Sequence, residues 1–441
     1  MARLFGTDGV RGAAGEFLTA ELALALGRAA TETAWDGAQT APQVLIVRDT
    51  RESGEMLESA LAAGVAAVGG QALLGGVLPT PGAALLTRRH GFDLAAVVSA
   101  SHNPYADNGI KFFGPDGMKI PDEREARIEA LVAGEKQPAA RQIGRIRALH
   151  GAGGDYLREL ELRFGGLDLK GRRVLLDCAH GATHQVAPEI FRRLGADVEA
   201  IAVDPDGRNI NDGVGSTHVE ALAERVAADG FDIGFAFDGD GDRVLAVDRT
   251  GAVVDGDELV ALAALHLRAT DRLPGGGVAV TVMTNYGFHS AMTEAGIEVA
   301  VTPVGDRHVL AELLRRGWGL GGEQSGHIIE TGFVPSGDGI AAALLTLEAL
   351  GEGDLTERDG MRKLPQRLVN VRVRDRSALE DATAVWDAVE AESGALEGRG
   401  RVLVRPSGTE PLVRVMVEAP DDDECEAVTA RLVAVVERDL A

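Results

Sequence analysis

Three aspartates alternate with glycines in Asp238-Gly239-Asp240-Gly241-Asp242, and Arg243 follows directly. Glycine lets the backbone curl so that alternate carboxylates converge on one point, and such oxygen donors suit a hard cation such as Mg²⁺, with remaining positions left to phosphate and water. A solvated acidic turn is the competing reading, but this much like charge is hard to hold together without a cation. An EF-hand is excluded by register: counted from Asp238, position 6 is Arg243 and position 12 is Arg249, where calcium loops need Gly and Glu.

Three further stretches carry groups able to do chemistry. Ser99-Ala100-Ser101-His102-Asn103-Pro104 follows the apolar run 94–98, with Lys111 just beyond. A serine on a turn after a strand end lies where open α/β sheets bind ligands. Taken alone, His-Asn-Pro is also an ordinary turn former, and the segment lacks the G-x-S-x-G elbow of α/β-hydrolases. Gly321-Gly322-Glu323-Gln324-Ser325-Gly326-His327 places an acid, a hydroxyl and an imidazole on one loop, groups that can hold sugar hydroxyls and shuttle a proton. Gly317, Gly319 and Gly322 fit the dinucleotide spacing, but they follow the helix-period segment 309–316 and not a strand, so no dinucleotide is expected. Arg405-Pro406-Ser407-Gly408-Thr409-Glu410-Pro411 offers a guanidinium, two hydroxyls and free N–H groups that can wrap a phosphate. A hairpin turn with an incidental arginine is an equal alternative for that heptad. No G-x-x-x-x-G-K-[ST] occurs, so phosphate binding here would not signify an NTPase. Of the histidines outside these stretches none forms a metal-ligand spacing, and only His308, beside Gly305-Asp306-Arg307, stays open.

These residues have to be held by elements, and the pattern that recurs is an apolar run, a glycine-bearing turn and a helix-period segment, the signature of an α/β fold. Examples are 44–47 before 50–68, 174–177 before 186–194 and 278–283 before 288–295. Glycine-rich or polar breaks predict four segments, residues 1–152, 153–252, 253–363 and 364–441. The first three read as successive αβα domains and the last as a smaller α+β domain of strand, helix, strand, strand and helix. The chain has 441 residues with 44 Lys and Arg against 68 Asp and Glu, and a net charge of -24 opposes nucleic-acid binding except through a local basic pocket. No signal-peptide pattern or membrane-length apolar window occurs, which predicts a cytoplasmic protein. Cys178 and Cys425 are too few for a disulfide framework or a thiolate zinc site, and Cys178 reads as a packing residue.

In order along the chain, FGTDGVRG, SASHNPYADNGIKFF, FDGDGDR, GGEQSGH and RPSGTEP resemble the α-D-phosphohexomutase family over nearly the whole length. The resemblance implies four domains around a central cleft and a phosphoserine enzyme that moves a phosphoryl group between two positions of a hexose phosphate. It implies that Ser101 carries the phosphate, and that Asp238, Asp240 and Asp242 hold one Mg²⁺ together with an oxygen of phosphoserine 101. Arg11, Lys111 and Arg243 would flank the reacting group, with His327 near the transferred proton. Glu323 and Ser325 would bind sugar hydroxyls, while Arg405, Ser407, Gly408 and Thr409 would clamp the phosphate that is not reacting. The wording at 7–12, at Gly305-Asp306-Arg307 and at 323–327 is similar to that of members acting on glucosamine phosphates. It adds those three residues to the expected substrate site and makes glucosamine 1,6-bisphosphate the expected intermediate and activator. Glucose- or mannose-phosphate mutases, a phosphatase and a non-catalytic sugar-phosphate sensor are the alternatives, and a homodimer is left open.

Overall fold

The computed structural model describes residues 4–6, 8–35, 40–134, 142–407 and 411–440. Two compact units divide the chain, one running up to Val282 and again from Val299 to Arg358, the other comprising Met283–Glu298 and the chain from Asp359 on.

The first unit contains three sheets whose central strands are buried along their whole length. Leu94–Val98, Ile233–Phe237 and Gly277–Thr281 each have every residue buried. Short continuous apolar runs of this kind form strands when helices cover both faces of a sheet. The six-stranded sheet runs in the order Val10–Ala13, Asp107–Phe113, Leu94–Val98, Gln43–Arg48, Gln71–Val77, Arg145–Ala148. Its last four strands pair in parallel, and the first two are antiparallel additions. In the five-stranded sheet Arg173–Asp177 lies parallel to Asp197–Ile201 and Ile233–Phe237, and Val244–Asp248 returns antiparallel. The four-stranded sheet places Gly277–Thr281 parallel to Leu320–Gly322, beside which Ile328–Glu330 runs antiparallel.

One arrangement therefore occurs three times. A buried strand ends, a short loop follows, and an antiparallel strand returns: loop 99–106 between Leu94–Val98 and Asp107–Phe113, loop 238–243 between Ile233–Phe237 and Val244–Asp248, loop 323–327 between Leu320–Gly322 and Ile328–Glu330. Three of the four motif stretches sit on these loops. Helix Gly339–Leu350 adds a fixed point: Asp338 caps it, and the Gly339 N–H donates to the Gly241 carbonyl in the second loop at 3.0 Å.

The second unit is a three-stranded antiparallel sheet, Gln366–Arg372, Leu412–Glu418 and Arg401–Pro406, with Leu412–Glu418 in the middle. Its core includes Val413, Val415, Val417, Cys425, Val428 and Leu432, so one face is covered by helix Asp422–Leu440. Helix Tyr286–Glu294 packs in this unit, where the Tyr286 N–H donates to the buried Glu418 carboxylate at 3.1 Å and Asn285 Nδ2 to the Leu364 carbonyl at 3.0 Å. Cys178 is a buried free thiol, as a packing residue should be, and Cys425 is likewise free and buried.

Candidate active site

Ser101 follows the strand Leu94–Val98 with φ of 53°, a left-handed conformation that costs a residue with a Cβ roughly 1 kcal/mol. That conformation sends its hydroxyl to Asp238, where Oγ donates to Oδ2 at 2.5 Å. The contact joins the first and second loops across 137 residues of chain. Gly239 is required there, because a Cβ would stand 2.5 Å from the Ser101 carbonyl oxygen. Gly241 has φ of 72° and no room either, with a Cβ meeting Thr183 Cγ2 at 2.5 Å.

Asp238, Asp240 and Asp242 are all buried, and one carboxylate oxygen of each lies within 4.8 Å of the others. Burial, with Asp242 and Asp240 adding like charge, pushes the Asp238 carboxyl well above its usual range. Burial also works against ionising Asp242, but His327, Lys111 and Arg243 outweigh it and hold that carboxyl below its usual range. The charge of three adjacent carboxylates is thus only partly offset by protein cations. Asp240 Oδ1 and Asp242 Oδ1 are buried without a hydrogen-bond partner. Orphaned anionic oxygens at a point of converging carboxylates are what a divalent cation requires, so the residues fit a metal.

The cations around this point are themselves tied down. Lys111 Nζ lies 2.9 Å from Asp240 Oδ2 and 3.0 Å from Asp8 Oδ2, and these carboxylates raise its pKa despite burial. Thr80 Oγ1 donates to the same Asp240 oxygen at 2.6 Å. Asp8 also pairs with Arg11 and with Lys119, whose Nζ spans 2.5 Å to Asp8 and 2.5 Å to Asp306. Burial opposes its ionisation, yet Lys111, Lys119 and Arg11 hold the Asp8 carboxyl well below the usual range. The Arg243 backbone N–H donates to Asp238 Oδ1 at 3.1 Å, and its Nε lies 3.8 Å from Asp242 Oδ1.

A cavity of about 430 Å³ opens on these groups, and Arg11, His102, Arg243, Arg307, Glu323 and Ser325 are among the residues on its wall. Its volume is in the range of small-molecule sites. Gly305, Asp306 and His327 line it too. The Gly305 N–H donates to Glu323 Oε1 at 3.0 Å, and Arg307 pairs with Asp122 at 2.7 Å. Asp8, Asp242 and Asp306 on the wall all have ion pairs, whereas among the described residues Glu323 has none. Glu323 is accordingly the wall carboxylate open to a ligand cation. His327 is buried; Gly337 N–H donates to its Nε2 at 3.0 Å, which leaves Nδ1 facing Asp242 Oδ2 at 3.6 Å. Both ring nitrogens are turned to the protein, an orientation that suits His327 to steadying Asp242. His102 Nδ1 lies 3.3 Å from Ser101 Oγ, and burial together with Arg243 and Arg11 lowers the His102 pKa, which keeps the ring neutral near pH 7.

In the second unit Arg405 lies opposite Arg414 on the neighbouring strand. Burial and the Arg414 charge lower the Arg405 pKa, and Arg414 Nε is buried without a hydrogen-bond partner. Two facing guanidiniums of this kind suit an anion. Ser407 is buried, and its carbonyl accepts from Arg376 Nη1 at 2.6 Å. The expected Gly408 and Thr409 lie outside the described residues.

Several functional contacts come from residues that motif reading passed over. Asp49 and Arg51 follow the strand Gln43–Arg48, and the rule that strand ends carry function marks them as it marked Ser101. Asp8 stood within a recognised stretch. Thr80, Lys119 and Asn211 have no local signal, since only the fold brings them in, and in the second unit Arg414 is set beside Arg405 by strand pairing alone.

Comparison with known proteins places four consecutive domains of one family on the chain. Models described as phosphoglucomutase/phosphomannomutase alpha/beta/alpha domains I, II and III match residues 2–139, 155–251 and 255–368, and that of the C-terminal domain matches 368–435. A protein named phosphoglucosamine mutase from Desulforudis audaxviator is 50% identical, covering 99% of this chain and 98% of its own. Another of that name from Geobacillus kaustophilus is 46% identical over 100% and 99%. Among solved structures, a phosphoglucomutase/phosphomannomutase family protein from Burkholderia thailandensis superposes with a TM-score of 0.82 at 23% identity, covering 99% of this chain and 97% of that one. Aspergillus fumigatus N-acetylphosphoglucosamine mutase, solved in complex with GlcNAc-6P and magnesium, has a TM-score of 0.69 at 18% identity, with 99% and 96% covered.

Proposed function

Since the chain belongs to the phosphoglucomutase/phosphomannomutase family, matched in all four of its domains, we propose that it interconverts glucosamine 6-phosphate and glucosamine 1-phosphate through a phosphoserine at Ser101. The observation that carries this reading is the hydroxyl of Ser101 held 2.5 Å from Asp238, at the edge of an acidic triplet with orphaned oxygens and beside a sugar-sized cavity.

Asp238, Asp240 and Asp242 would hold Mg²⁺, which when bound neutralises charge on the transferring phosphoryl group. The remaining equipment belongs to the chain. Phosphoryl transfer needs in-line positioning and charge neutralisation more than covalent help, and Arg11, Lys111 and Arg243 supply fixed positive charge around Ser101. In the forward direction the P–O bond to Ser101 Oγ breaks as a bond forms to O1 of glucosamine 6-phosphate. The proton of that hydroxyl passes to Ser101 Oγ, and the neutral His102 ring is placed to relay it. The 1,6-bisphosphate then turns over in the site, and its 6-phosphoryl group returns to Ser101. Glu323 and Ser325 take sugar groups, and Glu323, lacking an ion pair, offers a charge-assisted contact to a protonated 2-amino group. Gly305, Asp306 and Arg307 shape the same wall, and Arg405 and Ser407 would take a phosphate by guanidinium and hydroxyl donors.

The test is a substrate panel with purified protein, Mg²⁺ and a trace of each 1,6-bisphosphate. Glucosamine 6-phosphate should give the highest kcat/KM, ahead of glucose 6-phosphate by about tenfold to a few hundredfold, because one charged contact in place of a neutral one discriminates modestly. If glucose or mannose 6-phosphate proves the faster substrate, the sugar assignment fails and a phosphoglucomutase or phosphomannomutase replaces it.

A further inference from the structure

Arg51 is 1% exposed, and all five N–H groups of its guanidinium are engaged. Nε donates to Asp49 Oδ2 at 2.8 Å. Nη1 donates to the carbonyls of Pro104 and Asp107, the latter at 3.0 Å, and Nη2 to those of Ser101 at 2.9 Å and Asn103 at 2.8 Å. Four of the five acceptors are thus main-chain oxygens, three in the loop that carries Ser101 and the fourth on Asp107, the first residue of the strand that follows it. Asp49 reaches the same loop by a second route: it accepts from Ser99 Oγ at 2.6 Å, and Ser99 Oγ accepts from the Ser101 N–H at 2.9 Å. Asn211 Nδ2 meets the Ser101 and Asn103 carbonyls as well, at 2.9 and 3.1 Å.

A loop with a left-handed non-glycine residue relaxes unless its surroundings over-determine it. Here the peptide groups on both sides of Ser101 are gripped, the N–H through Ser99 and the carbonyl by Arg51 and Asn211. Arg51 does not line the cavity, so it touches neither sugar nor phosphate there. We propose that Arg51 is a positioning residue for phosphoryl transfer, holding Ser101 in the left-handed conformation that aims its Oγ at Asp238. The inference rests on the phosphoserine reading above. It adds that transfer geometry is set from behind the loop, by a guanidinium whose planar fork satisfies four carbonyls at once.

Lysine keeps the charge beside Asp49 but has only three donors and no fork. Arg51→Lys should lower kcat about a hundredfold, the effect of a displacement near 1 Å at a reacting group. The KM for glucosamine 6-phosphate should stay within about threefold, because the sugar wall is untouched. A misaimed serine also returns the second phosphoryl group poorly, so free glucosamine 1,6-bisphosphate released per turnover should rise. If Arg51→Lys does not fold, Ser99→Ala cuts only the relay from Asp49 to the Ser101 N–H, and should lower kcat about tenfold with the same KM and bisphosphate signature. A folded variant with wild-type kcat overturns the inference. So does a loss that tracks the fraction of folded protein while bisphosphate release per turnover stays at the wild-type value. Wild-type protein assayed alongside for phosphate on Ser101 separates the two claims: no phosphoserine sinks the reading beneath, whereas phosphoserine with an indifferent Arg51 sinks only the positioning role.

Discussion

At the scale of single residues, the acidic triplet shows how far composition and spacing reach. Alternating Asp and Gly predicts converging carboxylates, and the structure brings one oxygen of each within 4.8 Å of the others. What spacing does not show is the division of labour. Asp240 Oδ2 is taken by Lys111 and Thr80 while Oδ1 is orphaned, and Thr80 lies 160 residues away. Asp240→Asn keeps an acceptor for both neighbours but removes an anionic ligand. Isothermal titration should show Mg²⁺ affinity lower by at least about tenfold, with activity recovered only at higher Mg²⁺, since a charged contact is worth roughly 1.5 to 3 kcal/mol. Unchanged affinity would leave the triplet as a buried acidic turn.

At the scale of elements, the strands and helices were legible because their apolar runs are unambiguous: 94–98 coincides with strand Leu94–Val98, 174–177 falls in strand Arg173–Asp177, and 186–194 matches helix Val186–Arg193. The return strand Asp107–Phe113 was hidden, because it mixes Asp, Asn, Gly and Lys with apolar residues and is ordered by pairing on both sides. That strand makes the Ser101 loop a hairpin of the same kind as the metal loop. A second hidden element is the buried pair that sets the start of helix Gly339–Leu350. The Tyr156 hydroxyl lies 2.9 Å from both oxygens of its cap Asp338, and burial raises the Asp338 pKa from 3.8 to about 6. A carboxyl whose pKa is higher folded than unfolded stabilises fully below its unfolded value, and the stabilisation is lost as pH rises through the folded one. Between about pH 4 and pH 6 wild-type protein should therefore lose about 2 kcal/mol relative to Asp338→Asn, which keeps a good cap and does not ionise. Urea midpoints across that range check this; a pH-independent gap between the two proteins would refute the assignment.

At the scale of the whole molecule, the ordered set of five motifs carried more than any of them alone, and all four family domains are found on the chain. Motif order could not reveal that helix Tyr286–Glu294 packs on the strand bearing Glu418, because the contact depends on one buried carboxylate more than 120 residues away. Nor does a net charge of -24 reveal a local cluster of Arg11, Lys111, Lys119 and Arg243 interleaved with Asp8, Asp240, Asp242 and Asp306. That cluster is where an anionic substrate can meet an acidic protein.

The most direct test of a phosphoserine mutase is to follow Ser101 itself through turnover. Wild-type protein is incubated with glucosamine 1,6-bisphosphate and Mg²⁺ and its peptides are mapped by mass spectrometry, while wild-type and Ser101→Ala proteins are assayed for conversion of glucosamine 6-phosphate. Phosphate should be found on Ser101, and an isotopically labelled phosphate there should appear in glucosamine 1-phosphate once unlabelled glucosamine 6-phosphate is added; turnover should be lost in a Ser101→Ala protein that is otherwise folded, as the loop position opens no cavity in the core. Near wild-type conversion by Ser101→Ala, or labelled phosphate that stays on Ser101 while glucosamine 6-phosphate is converted, would contradict it.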